Sequence, residues 1–317
     1  MTNCGYTSRS IPSPEIYEKM LDRRIKAKKS GDKATANALK LVANTTYGAM
    51  LNQYNALYDP LMGRSVCISG QLFLLELANH LYTEVKGLRV VQLNTDGIMV
   101  EFDDSQCEEV QAILQEWQDR TGFELEEDRI SKLIQKDVNG YIEIQDSGEV
   151  KAKGGVLVRG IAPAGAFNIN NNAIVIAEAV KRQLAYGTPV RETVAEDYNL
   201  LDYQIVAKAS SKYGPAYHMI DDEPVQVQKV NRVYAAKDYR LGTLYKKHLE
   251  TGTLVKQAGL PAHCLVDNDN HAHLELVDRE WYIREAERYV RDFLGVKPPK
   301  RNTRKVNTIK KKLLQII

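Results

Sequence analysis

Apolar positions recur with a helical period along the first stretch of the chain. Residues 14–29, PEIYEKMLDRRIKAKK, open on Pro14 and close on basic residues, the order that suits a helix dipole. Ser30-Gly31-Asp32 reads as a turn with Asp32 as N-cap, and a second helix is expected from Ala34 to about Asn52. Two helices across so short a turn run antiparallel. Residues 64–86 predict a long, largely buried helix. The period then falls to that of a strand. LRVVQLN at 88–94 and IMVEF at 98–102 flank Thr95-Asp96-Gly97, a strong hairpin signal. An amphipathic helix is expected over roughly 105–121. Strand-like runs follow at 123–127, 130–135, 140–145 and 149–158, with turns at Asn139-Gly140 and Asp146-Ser147-Gly148. Beyond residue 161, AIVIAEAVKRQLAYG and VDREWYIREAERYVRDFLG read as helices separated by mixed strands and loops. The pattern predicts an α+β protein. It comprises a helical hairpin over 1–62, an antiparallel sheet with packed helices over 63–160, and a mixed, mostly helical part over 161–317.

Composition narrows the class. A chain of 317 residues is long enough for two or three cored units, and 44% hydrophobic with 26% charged residues is ordinary for a soluble protein. Net charge is only +2, but no acid follows Asp292, and residues 297–312 carry eight Lys or Arg, a tail suited to phosphates. Cys4, Cys67, Cys107 and Cys264 are scattered and read as reduced thiols. PAHC at 261–264 and HAH at 271–273 lack the paired spacing of a structural zinc site. No signal peptide opens the sequence and no uninterrupted apolar run approaches ~18 residues, so a cytoplasmic location is expected.

Two clusters carry candidate chemistry. Lys40, Asn44 and Tyr47 recur at i, i+4, i+7 on one helix face, with Gly48 beside them; Arg24 and Lys28 are i, i+4 partners on the preceding helix. Arg24 lies seven residues before Gly31 and Lys40 nine after it, so at ~1.5 Å rise per residue both sit roughly 10–14 Å from the turn. A triphosphate between them is gripped from both sides. A basic solvated face is the alternative, and it leaves Asn44 and Tyr47 unexplained. Asp96 is either a turn-former, as Asp often is, or a carboxylate presented at a hairpin tip.

These segments together resemble the carboxy-terminal part of a family B DNA polymerase of the bacteriophage type. LDRRIKAKK followed by ALKLVANTTYG resembles the family's fingers helices, the second matching the K-x3-N-S-x-Y-G pattern. SVCISGQ resembles the helix that follows, LNTDGIMV the YGDTDS catalytic hairpin, and KLIQKDVNGYIEIQDSGEVKAKG the passage from palm to thumb. The remainder, including KVNRVYA and the terminal helix, then corresponds to the thumb. The resemblance implies that Lys40 contacts the triphosphate of an incoming dNTP, that Asn44, Tyr47 and Gly48 line the nascent base-pair pocket, and that Arg24 and Lys28 meet the outer phosphates. It implies that Asp96 is the catalytic aspartate and a magnesium ligand. Thr95, Lys136 and Asn139 become DNA contacts, although the family's Lys-Lys-x-Tyr run reads KDVN here, with Asn139 in the tyrosine's place.

The departures shape the expectation. Asn94 stands where the family has the first hairpin acid, and Gly97 replaces a small Ser. The upstream motif D-x2-S-L-Y-P-S, with its metal-bridging aspartate, does not occur in this sequence, nor does a proofreading exonuclease domain. Nucleotidyl transfer uses two magnesium ions, and one aspartate does not assemble that pair. The expected partners are therefore primer-template DNA, dNTPs and a second polypeptide carrying the exonuclease and the first palm motif. The setting is the host cytoplasm if the source is viral. A gene fragment fits the same residues. A non-catalytic DNA-binding remnant is the competing class. An RNA-templated polymerase is a third reading, and Asn94 breaks the paired aspartates of that class.

Overall fold

The computed structural model describes residues 4–11, 13–158 and 172–296, and the chain divides into two compact units, Met1–Glu127 and Asp128–Ile317. The expected boundary near residue 160 and the basic tail both lie outside the described residues. All four sheets of the described residues are antiparallel, so the chain is α+β, as the pattern predicts.

The first unit opens with the expected helical hairpin, α1 (Pro14–Lys29) and α2 (Lys33–Met50). Gly31 takes the left-handed conformation at φ +79° that reverses the chain, and the Asp32 carboxylate accepts from the Thr35 N–H at 3.0 Å. The Tyr17 hydroxyl donates to the Ala43 carbonyl at 3.4 Å across the pair. α3 (Pro60–Glu84) starts four residues earlier than the apolar pattern indicates, because Asp59 caps it and Pro60 occupies its first turn. The hairpin β1 (Arg89–Leu93) and β2 (Ile98–Glu101) pairs Leu93 with Ile98, and a bulge lies between Val90 and Gln92. α4 (Cys107–Thr121) completes the unit. Leu77, Leu81 and Val85 meet Val110, Ile113 and Trp117 in a small core, onto which Ile98 and Val100 pack from the hairpin.

Residues 123–127 form no strand, against expectation. Phe123 and Leu125 drop into this same core, with Phe123 stacked on Trp117 at 5.8 Å. The Leu125 N–H donates to the Gln118 side chain at 2.8 Å instead of to a neighbouring strand. The apolar alternation reports one-sided burial without a ladder.

The second unit begins with a meander, β3 (Ile130–Asp137), β4 (Gly140–Gln145) and β5 (Val150–Lys153). The last strand is shorter than the run 149–158 predicts. Gly154, at φ +108°, ends it, and a Cβ there would come within 2.8 Å of the Gly140 Cα. These three strands and the β1–β2 hairpin belong to separate sheets in separate units. The single sheet expected over 63–160 is not formed, because among the described residues the hairpin strands pair only with each other.

α5 (Ile174–Tyr186), α6 (Val190–Glu196) and α7 (Arg279–Phe293) bracket β6 (Ile205–Lys208), β7 (Tyr213–Ile220), β8 (Glu223–Val227), β9 (Val230–Ala235), β10 (Leu241–His248), β11 (Leu254–Lys256) and β12 (Cys264–Val266). The strands form two sheets, ordered β11-β10-β7-β8 and β12-β9-β6. The mostly helical expectation for this part is therefore corrected. Alternating runs such as YGPAYHMI make it a sheet protein with helices on it. Asp221 and Asp222, at φ +49° and +67°, build the tight β7–β8 turn without glycine. The core is large, and at its centre Tyr282 donates to the Tyr203 carbonyl at 2.6 Å and accepts from the Ala235 N–H at 3.0 Å.

Candidate nucleotide-transfer site

Eight of the ten residues singled out in the sequence lie in the first unit, and two, Lys136 and Asn139, in the second. On α2, Lys40 and Asn44 are exposed, Tyr47 is half-buried and Gly48 is exposed. The face is open. A Cβ at Gly48 would meet no atom within 4 Å, so packing inside the chain does not require this glycine. Tyr47 shares a 2.6 Å hydrogen bond with Cys67 of α3. That bond, and after it partial burial, pushes the Tyr47 hydroxyl above the ordinary tyrosine range. The ring is thereby fixed at the junction of α2 and α3 as a neutral polar group.

Across the helical hairpin, Arg24 is half-buried, and neither Arg24 nor Lys40 has an ion-pair partner among the described residues. Lys28 differs, because it pairs with Glu126. With side chains 59% and 85% exposed, that pair contributes little and yields readily to a polyanion. Because 98 residues separate the two, no local sequence pattern signals this acidic partner.

Asp96 sits in a four-residue loop, Asn94 to Gly97, closed by the Asn94 N–H donating to the Gly97 carbonyl at 2.8 Å. Neither Asp96 nor Gly97 takes a positive φ, so the loop is wider than the two-residue turn that Asp-Gly usually makes. Thr95 and Asp96 are exposed, and Asp96 has no hydrogen bond or ion pair among the described residues. Its carboxylate is free to take a hard cation. No group of three or more His, Cys, Asp or Glu side chains converges anywhere among the described residues. Magnesium is often held by one or two carboxylates plus substrate phosphates, and Asp96 fits one such ligand.

α3 ties the two clusters together. It holds Tyr47 through Cys67 and holds the hairpin through Leu77 and Leu81. Ten residues from Cys67 to Leu77 correspond to ~15 Å along the axis. The opposite side of α3 is apolar and bare: Leu61, Ile68, Leu72, Leu75 and Tyr82 are 54–65% exposed, at spacings of 7, 4, 3 and 7 residues on one stripe. By length and composition α3 is also long and apolar enough to cross a membrane. Polar residues such as Arg64, Gln71, Glu76 and Asn79 interrupt the apolar run, so it does not stand out along the sequence.

In the second unit Lys136 and Asn139 are exposed at one end of β3–β4, where the Asn139 N–H donates to the Asp137 carboxylate at 2.9 Å. The sequence also gave no hint of the anchor at the start of α3. Arg9 grips the buried Asp59 carboxylate with two guanidinium bonds of 2.8 Å and its own N–H at 3.1 Å. The Arg9 hydrogen bonds hold that carboxyl well below the usual carboxylate range. The residues RSIPSPE match no motif, and only spatial proximity reveals the pair.

No protein-family model matches the chain, and no curated protein matches it.

Proposed function

We propose that this chain is the fingers, catalytic hairpin and thumb portion of a DNA-directed DNA polymerase of family B. It transfers dNTPs onto a primer 3′ end with a second polypeptide completing the site. The observation that carries the reading is the pairing of two features within one compact unit. One is an open Lys40-Asn44-Tyr47 face, and the other is Asp96 at a hairpin tip, unpartnered among the described residues, with α3 bridging the two.

In this reading Lys40 and Arg24 neutralise the polyphosphate from facing helices, and Lys28 joins them by leaving Glu126. Tyr47, kept neutral and braced by Cys67, offers a ring face to the base pair. Gly48 leaves room beside it, and Asn44 supplies a polar edge. Asp96 holds one share of the metal pair. Magnesium, when bound, would neutralise charge on the phosphate undergoing substitution and ease deprotonation of the attacking hydroxyl. Thr95, Lys136 and Asn139 contact the DNA backbone, a role that positions without reading sequence.

One further feature supports a partner polypeptide: the stripe on α3 is a surface of the kind that another chain covers. The second carboxylate belongs to that partner. The test is primer extension with magnesium and dNTPs, comparing the chain alone with the chain plus a candidate partner. Robust extension by the chain alone defeats the two-chain reading.

A further inference from the structure

One face of the sheet β11-β10-β7-β8 combines rings with uncompensated cations. Residues directly opposed in an antiparallel pair point to the same side, and successive residues along a strand point to opposite sides. Leu244 and His218 are opposed and buried, as is Ala216, and Leu244 belongs to the large core, so the face that carries them lies on that core. The intervening positions point the other way. Across all four strands they form one row: Lys256 opposite Tyr245, Tyr245 opposite Tyr217, and Tyr217 opposite Gln226. Lys247, two residues along β10 from Tyr245, stands on the same side.

These groups are open. Lys247, Lys256 and Gln226 are exposed, and both tyrosines are half-buried. Among the described residues neither tyrosine side chain has a hydrogen bond or a ring contact, and neither lysine has an ion pair. No Asp or Glu occurs in the row or at the paired positions beside it, Lys247 with Leu254 and Met219 with Pro224, so the positive charge has no acid on its own face. Neighbouring strands lie ~4.8 Å apart, which sets the two rings side by side with a cation on the next strand.

We propose that this face binds single-stranded DNA. Two successive bases lie on Tyr217 and Tyr245, and the adjoining phosphates meet Lys247 and Lys256. Aromatic side chains that take unpaired bases beside cations that follow the backbone are the general chemistry of single-strand binding. The charge is complementary to a polyanion, and the rings distinguish the strand from a duplex, whose bases keep their faces stacked inside. Leu254, Met219 and Pro224 flank the row with apolar surface and give a ribose 2′-hydroxyl no partner, which favours DNA over RNA. The inference does not rest on the polymerase reading. The face lies in the unit that lacks Lys40 and Asp96, and it takes an unpaired strand instead of a primer-template duplex.

The test is fluorescence anisotropy of the full chain with a labelled twelve-residue oligodeoxyuridylate, competed by the same length of oligouridylate, by a DNA duplex and by a polyglutamate peptide. The single DNA strand is expected to bind at least about fivefold tighter than each competitor. Tyr217→Ala and Tyr245→Ala each weaken it at least about fivefold, whereas Tyr245→Phe keeps the parent affinity, because stacking uses the ring and not the hydroxyl. The double variant Lys247→Ala with Lys256→Ala lowers the slope of log affinity against log salt by about 1.4, the change for two lost phosphate contacts on a single strand. That variant alters only exposed side chains, so it keeps the test decisive if a tyrosine variant fails to fold. Absence of binding overturns the proposal. So does binding that survives both tyrosine truncations or keeps its salt slope in the lysine variant, because it assigns the strand to the basic tail or to another surface. Duplex, RNA or polyglutamate bound as tightly as the DNA strand also overturns it.

Discussion

The two units solve the problem of burial differently. The second closes around one large core in which Tyr203, Tyr234 and Tyr282 are fully buried and the helices cover their sheets. The first has a small core between α3, α4 and one hairpin, and it leaves a row of large apolar side chains in solvent along α3. Its candidate functional groups are likewise open: Lys40, Asn44 and Asp96 are exposed, and neither Lys40 nor Asp96 has a partner among the described residues. The second unit buries its apolar surface in one large core, whereas the first leaves apolar surface and charge open, the pattern expected of a surface that another molecule covers.

The largest effect expected from this contrast is in the self-sufficient unit. Tyr282→Ala removes a ring packed 5.1 Å from Tyr203 and leaves the Ala235 N–H without its acceptor. It should lower unfolding free energy by about 3–5 kcal/mol in chemical denaturation, as aromatic truncations in packed cores do. A loss below about 1 kcal/mol would break the comparison.

Next comes the anchor of the first unit. Because Arg9 depresses the Asp59 carboxyl, the pair stabilises the fold above the ordinary aspartate value of 3.8, and that stability is lost as pH falls through the lower folded value. Arg9→Ala should therefore melt below the parent at pH 7. The gap should narrow only in strong acid, where Asp59 is protonated in both folded and unfolded chains. A gap that is constant with pH contradicts the ion-pair account.

Smaller still is the effect of Leu72→Glu on the bare side of α3. It should change the stability of the isolated chain by no more than about 0.5 kcal/mol, as exposed positions do. The same substitution should weaken assembly with a partner polypeptide, measured by co-purification. The least perturbing test uses thiols. Cys67 is exposed, whereas Cys264 is fully buried, with its thiol pushed up to about 11 by burial. A maleimide should label Cys67 in the native chain and reach Cys264 only after denaturant is added.

Local elements were legible wherever a cap or period defined them. Asp32 caps α2, and the helices at 14–29 and 107–121 follow their apolar spacing closely. The α2 stripe and the hairpin aspartate could be located because each depends on residues close in sequence. What escaped was long-range. Phe123 and Leu125 look like a strand until Gln118 captures the backbone. The balance of sheet over helix beyond residue 190 depends on strand pairings such as β7 with β10, more than twenty residues apart. The Arg9–Asp59 anchor and the Lys28–Glu126 pair join residues 50 and 98 positions apart, which no local pattern encodes.

The most direct test of the central claim is primer-template extension by the chain combined with a polypeptide that carries a D-x2-S-L-Y-P-S strand, using parent and Asp96→Asn chains side by side. The account predicts extension with the parent mixture, none with the Asp96→Asn mixture, and equal DNA binding by both. Extension that survives Asp96→Asn would contradict it.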